Sequence, residues 1–130
     1  MRLSIVTILS LWIAGCASLP SAPNEITGTV SSNFEVFSFE PVGTKNSHWI
    51  NNQSGKAQGW HLLGEVHNSL KSDFLGPHPT SMIQVCVTAS SVIHERPDGV
   101  GNLRGWKSDI TFTEIKSAKN VNVANNESAF

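Results

Sequence analysis

Two hydrophobic periods follow one another along the chain, and their order predicts the fold. Glu25 to Ser31 reads Glu-Ile-Thr-Gly-Thr-Val-Ser, with Ile26 and Val30 on one face and β-branched residues between, the pattern of a half-buried strand. Gly28 in its middle predicts a bulge or a strong bend. After the turn signal Ser32-Asn33, Phe34 to Glu40 forms a second strand whose phase slips. Phe34 and Val36 lie on one parity and Phe37 and Phe39 on the other, which a bulge near Val36 reconciles. Pro41-Val42-Gly43 breaks the run, His48-Trp49-Ile50 is a short third strand, and Asn51 to Gln58 is a loop. The period then changes. Trp60, Leu63, Val66 or His67, Leu70 and Phe74 recur at three and four, an amphipathic helix weakened by Gly64 and ended by Gly76-Pro77-His78-Pro79. Thr80 to Ile93 is the strongest strand, with Ile83, Val85 and Val87 on one face and a bend at Ser90-Ser91. His94 to Lys107 carries Pro97-Asp98-Gly99, Gly101, Asn102 and Gly105 and reads as a long hairpin loop. Ser108 to Ser117 is the last strand, with Ile110, Phe112 and Ile115 inward, and the Asn-rich stretch from Ala118 to Phe130 reads as a disordered tail.

The order is therefore two strands, a short strand, a helix and two long strands. It predicts a mainly β protein, a barrel of about five strands that looks OB-like because its helix falls between strands 3 and 4. The alternative is an α+β arrangement with one helix on an antiparallel sheet. Either way the foldable part is one small domain, residues 25–117, with room for one modest core.

The amino terminus is of a different kind. Met1-Arg2 is a short positive segment, and Leu3 to Ala14 follows without a charge. That apolar run is too short for a lasting membrane span, which needs about 20 residues, and has the length of a signal-peptide core. It ends in Ile13-Ala14-Gly15-Cys16, which resembles the bacterial lipobox: an aliphatic residue, two small residues, then cysteine. The resemblance implies a diacylglycerol thioether on the Cys16 sulfur, cleavage between Gly15 and Cys16, and acylation of the new amino group. Residues 1–15 are then a lipoprotein signal peptide. Residues 16–24, small and proline-containing, are a flexible tether that holds the domain off the bilayer. The competing reading is an ordinary secretory signal cut near Ala17 or Ala22. Ala17 follows the cysteine where an aspartate would signal retention, so resemblance to enterobacterial lipoproteins favours the outer membrane, on its periplasmic face.

A second resemblance lies in the domain. Phe39-Glu40-Pro41, then His48-Trp49-Ile50, then a Gly-rich loop before the last strand is similar to small bacterial envelope lipoproteins. Many of these carry a cysteine where Val42 stands, and a second tryptophan where Ile50 stands. The pattern spans about two-thirds of the mature chain, and the group brings no known activity with it.

Composition narrows the functional classes. Nine basic and ten acidic residues give a formal charge of −1. Cleavage after Gly15 removes only Arg2, so eight basic residues remain against ten acidic, a charge of −2. Nothing in that balance suits nucleic acid or a polybasic membrane patch, so the membrane is expected to be reached through lipid alone. Of the two cysteines, lipid on Cys16 would leave Cys86 without a disulfide partner. Its setting in Met82-Ile83-Gln84-Val85-Cys86-Val87 predicts burial.

Catalytic and metal chemistry find little to stand on. The five histidines, His48, His61, His67, His78 and His94, show no His-x-His or His-x3-His spacing, and there is no Cys-x2-Cys. His61 and His67 fall about 240° apart on a helix. There is no Gly-x-Ser-x-Gly elbow. Glu35, Glu40, Glu65 and Glu95 offer no distinguished pair, and Gly99-Val100-Gly101 precedes a strand rather than opening a helix, as a phosphate loop would. The expectation is a non-catalytic envelope lipoprotein, without cofactor or metal, that binds a protein or envelope component. The alternative is an envelope enzyme or metal protein using the scattered histidines. Trp106, flanked by Gly105 and Lys107, and Trp49 are the candidate binding surface; the structural alternative for Trp106 is to plug one end of the barrel.

Overall fold

The computed structural model describes residues 25–33, 35–73 and 82–121. The strands are β1 (Glu25–Ser32), β2 (Phe37–Pro41), β3 (His48–Ile50), β4 (Ile83–Val100) and β5 (Trp106–Asn120), with helix α1 (Trp60–Asp73) between β3 and β4. They close a barrel in the order β1-β2-β3-β5-β4, and β4 returns to β1. All pairings are antiparallel except β3 with β5. The protein is thus mainly β and OB-like, as the order of elements predicts.

The core follows the strand period. Val30, Phe39, Ile50, Val85, Val87, Ala89, Ile110, Phe112 and Ile115 point inward and are almost fully buried. Phe39 meets Phe112 edge to face, with centroids 5.3 Å apart. Helix α1 covers one end, laying Leu63 on the core with Trp60, Val66 and Leu70 beside it. Trp60 meets Phe37 edge to face at 6.1 Å, so this tryptophan is a packing residue at the covered end.

Gly28 makes the tight coil of β1 possible. A Cβ there would lie 2.3 Å from the Glu40 carbonyl oxygen and 2.6 Å from the Phe39 ring. The bend expected at Gly28 is therefore a close approach of β2 to β1, which only a residue without a side chain permits.

The seam between β3 and β5 is the weak point of such a barrel, because β3 supplies only the pairs Trp49–Asp109 and Ile50–Ile110. The following segment, Asn51 to Gln58, completes it. Asn51 N–H donates to the Ile110 carbonyl at 2.9 Å. The fully buried Ser54 hydroxyl accepts from Phe112 N–H at 2.9 Å and donates to the Ile110 carbonyl at 3.4 Å. Gln58 N–H donates to the Thr113 carbonyl at 3.1 Å and its carbonyl accepts from Ile115 N–H at 2.7 Å. What reads as a loop is a strip that satisfies the β5 backbone, with a 3-10 turn at Asn52–Lys56.

Four expectations change. β2 begins at Phe37, and Asn33 explains the slipped phase: its side-chain oxygen accepts from Glu35 and Val36 N–H, making a turn where a bulge was expected. Second, His94 to Val100 continues β4 and β5 starts at Trp106, so the expected long loop is a two-stranded ribbon with a tip at residues 101–105. Ala118 to Asn120, assigned to the tail, extends β5 opposite Val85 to Val87, and 122–130 lie outside the described residues. Fourth, Cys86 is buried as expected, but on the outer side of β4 under Val42 and Val121, and it is disulfide-bonded. The lone thiol expected from lipidation is thus not what the structure holds. The chain's other cysteine, Cys16, the signal segment, the tether, Phe74 and the Gly76–Pro79 breaker lie outside the described residues.

Candidate binding cleft at the open end of the barrel

The end opposite α1 is built by the same alternation that builds the core. Two residues before Ile50 comes His48, and two before Ile110 comes Ser108, so both face the barrel axis. His48 is also the cross-strand partner of buried Phe39, and Glu95 that of Ser108. His48 and buried Ser108 therefore form the next layer, where the hydrophobic core gives way to polar groups, and the exposed Glu95 stands at its rim. His48 Nδ1 and Ser108 Oγ are hydrogen-bonded at 2.5 Å. Burial pushes the His48 pKa down, against the opposing pull of Glu95.

Above this layer lies a cleft of about 580 Å³. Lys45, Asn46 and Ser47 from the β2–β3 loop form one wall, and Gly105, Trp106 and Lys107 the other. Trp106 is fixed on both sides. Its indole N–H donates to Ser47 Oγ at 3.1 Å, and its ring packs against Trp49 with centroids 4.9 Å apart and planes tilted by 56°. Both rings sit over Gly101, whose φ is +80°; a Cβ there would lie 2.4 Å from Trp49 and 3.0 Å from Trp106. The two tryptophans singled out by sequence thus meet. Trp106 is half-buried and lines the cleft while Trp49 backs it from the outer face.

On that outer face Trp49 neighbours Asp109, which pairs across to His94. Asp109 is buried and takes an ion pair from Arg96 at 2.8 Å; its Oδ1 finds no hydrogen-bond partner among the described residues. At the hairpin tip Leu103 is 95% exposed, and Leu103 and Arg104 both adopt the left-handed conformation.

The histidines do not converge. His61 and His67 lie on α1, where His67 Nε2 contacts Ser32 Oγ at 3.3 Å; His94 lies on the ribbon, and His78 outside the described residues. Among the described residues no three of His, Cys, Asp and Glu gather as a metal site, and no helix is long and apolar enough to cross a membrane. A neutral His48 could accept the Ser108 proton, yet no described carboxylate hydrogen-bonds the ring to orient it as a general base. Lys45, Glu95, Lys107 and Ser108 join the site only through the parallel β3–β5 pairing and the ribbon. No local motif in the sequence marks either. No protein-family model, curated protein or solved structure matches the chain.

Proposed function

We propose that this chain is a lipid-anchored protein of the bacterial cell envelope, attached through Cys16 and facing the periplasm from the outer membrane. Its barrel is a non-catalytic binding module whose working surface is the Trp106 end. The anchor is supported by Ile13-Ala14-Gly15-Cys16 behind a positive, then apolar, segment. The observation that carries the binding reading is Trp106 itself, an aromatic ring held by Ser47 and Trp49 at the edge of an open polar cleft. In OB folds generally the loop between the last two strands borders the ligand site, and here that loop carries the exposed Leu103.

Two experiments test the two halves. A photo-crosslinking residue at Leu103 or Lys107 should give a defined envelope adduct in cells, lost in Trp106→Ala; one at Gln84, on the far side of β4, should not. Equal adducts from both faces, or none from the rim, would overturn the binding surface. For the anchor, a sulfur in a thioether cannot also sit in a disulfide, so in this two-cysteine chain lipid on Cys16 and an intrachain disulfide at Cys86 are exclusive states, and the lipidated state is the one proposed. Mass spectrometry of the mature protein should show an acylated Cys16 at the new amino terminus. Cleavage elsewhere, or a Cys16–Cys86 peptide pair after non-reducing digestion, would refute the anchor.

A further inference from the structure

We infer that the cleft binds an acidic sugar, a pyranose carrying a carboxylate, stacked on Trp106 with its charge between Lys45 and Lys107. The inference rests on the binding reading above and supplies its ligand class. Among the described residues of the lining Trp106 is the one large apolar side chain, so the cleft offers a flat platform beside polar walls. An apolar ligand would leave those walls desolvated and unpaired. A ring with an apolar face and a polar rim satisfies both.

The platform is set before any ligand arrives. The Ser47 hydrogen bond fixes the indole, and Trp49 over Gly101 supports it from behind. Little side-chain freedom is left to lose on binding. Around it stand an amide at Asn46, a carboxylate at Glu95 and the His48–Ser108 pair, which together supply donors and acceptors for sugar hydroxyls. Charge then selects among sugars. Among the described lining residues two lysines, Lys45 and Lys107, stand against one carboxylate, Glu95, and burial disfavours the charged form of His48, which leaves one surplus positive charge. The cleft is open at its top, so the sugar can be one residue of a longer glycan. A nucleic acid, which demands charge compensation along its whole backbone, does not suit two lysines on a chain of formal charge −1.

The test uses the full mature chain in detergent, with oligogalacturonate as the acidic probe and a malto-oligosaccharide of equal length as the neutral one, followed by calorimetry. Oligogalacturonate should bind about tenfold more tightly than the neutral glycan, and the preference should fade as salt is raised. Lys45→Met with Lys107→Met should abolish the preference. Trp106→Ala should abolish binding of either sugar, and Trp106→Phe, which keeps a ring in the fold, should retain a reduced affinity. Equal binding of both glycans, or oligogalacturonate binding indifferent to Trp106→Ala and the lysine pair, would overturn the inference. So would no binding at millimolar sugar. If sugars fail while the rim crosslinks persist, the acidic-sugar inference alone falls; if both fail, the binding surface falls with it.

Discussion

Arg96 Nε lies 2.8 Å from Asp109 Oδ2, and the two side chains are unequally placed: the carboxylate is 3% exposed, the guanidinium 48%. Asp109 cannot reach water if Arg96 is lost, whereas Arg96 can. Its second oxygen already lacks a hydrogen-bond partner among the described residues. Arg96→Ala should therefore destabilise the fold by about 1–3 kcal/mol, and Asp109→Asn by less, because the amide removes the buried charge. Urea unfolding of the two variants decides the order; an Asp109→Asn protein weaker than Arg96→Ala would contradict it.

The tip of the ribbon contains two opposite kinds of position. Gly101 has φ +80° and no room for a side chain beneath Trp49, so Gly101→Ala should cost at least about 2 kcal/mol and disturb the tryptophan pair. Leu103 has φ +52° and is nearly fully exposed, so it carries backbone strain with little burial in return. Leu103→Asn should stabilise by roughly 0.5–1 kcal/mol, since asparagine tolerates that conformation. Thermal unfolding reads both, and near-ultraviolet circular dichroism reads the indoles.

Ser54 offers a local test of how the barrel is sealed. Ser54→Ala leaves the Phe112 N–H buried without its acceptor and should cost about 1–3 kcal/mol. The effect should be confined to the seam: amide exchange of Phe112 and Ile115 should accelerate more than that of Val85 or Val87. Uniform acceleration across the barrel would mean that Ser54 does not act locally.

His48 sets a pH dependence whose sign follows from burial. Its pKa is lowered in the folded state, so below the ordinary value of 6.5 the unfolded chain takes up a proton before the folded one does. Stability should fall as pH drops from about 6.5 and level off once the native ring protonates as well. Glu95 pulls the other way by favouring the cation, but burial outweighs it. In His48→Gln that part of the slope should vanish; an unchanged melting profile between pH 7 and 5 would assign it to other groups.

Much of the barrel was legible because its signals are local. The third strand, His48 to Ile50, and the helix from Trp60 stand where the pattern predicts, since alternation and three-four spacing are properties of short windows. The ribbon was misjudged for a related reason. Pro97, Asp98, Gly99 and Gly101 are turn-formers locally, and only the pairing of β4 with β5 overrides them. Ser54 and Gln58 read as loop residues because their partners lie on β5, more than fifty positions away. For the site, Trp49 and Trp106 were identifiable as large aromatics in turn-rich surroundings. Lys45, Glu95, Lys107 and Ser108 were not, because ordinary surface chemistry becomes a cleft only through long-range register.

The closure of β1 onto β4 has a kinetic consequence. Thr27 and Thr88 share a hydrogen bond at 2.9 Å across 61 positions of sequence. During synthesis β1 can pair early with β2, but its second edge has no partner until β4 has been made. Bringing such distant segments together costs loop-closure entropy before contacts repay it, so folding should take milliseconds to seconds rather than microseconds. Over that interval one edge of the first hairpin stays open to neighbouring chains, and protecting it falls to whatever escorts the nascent chain.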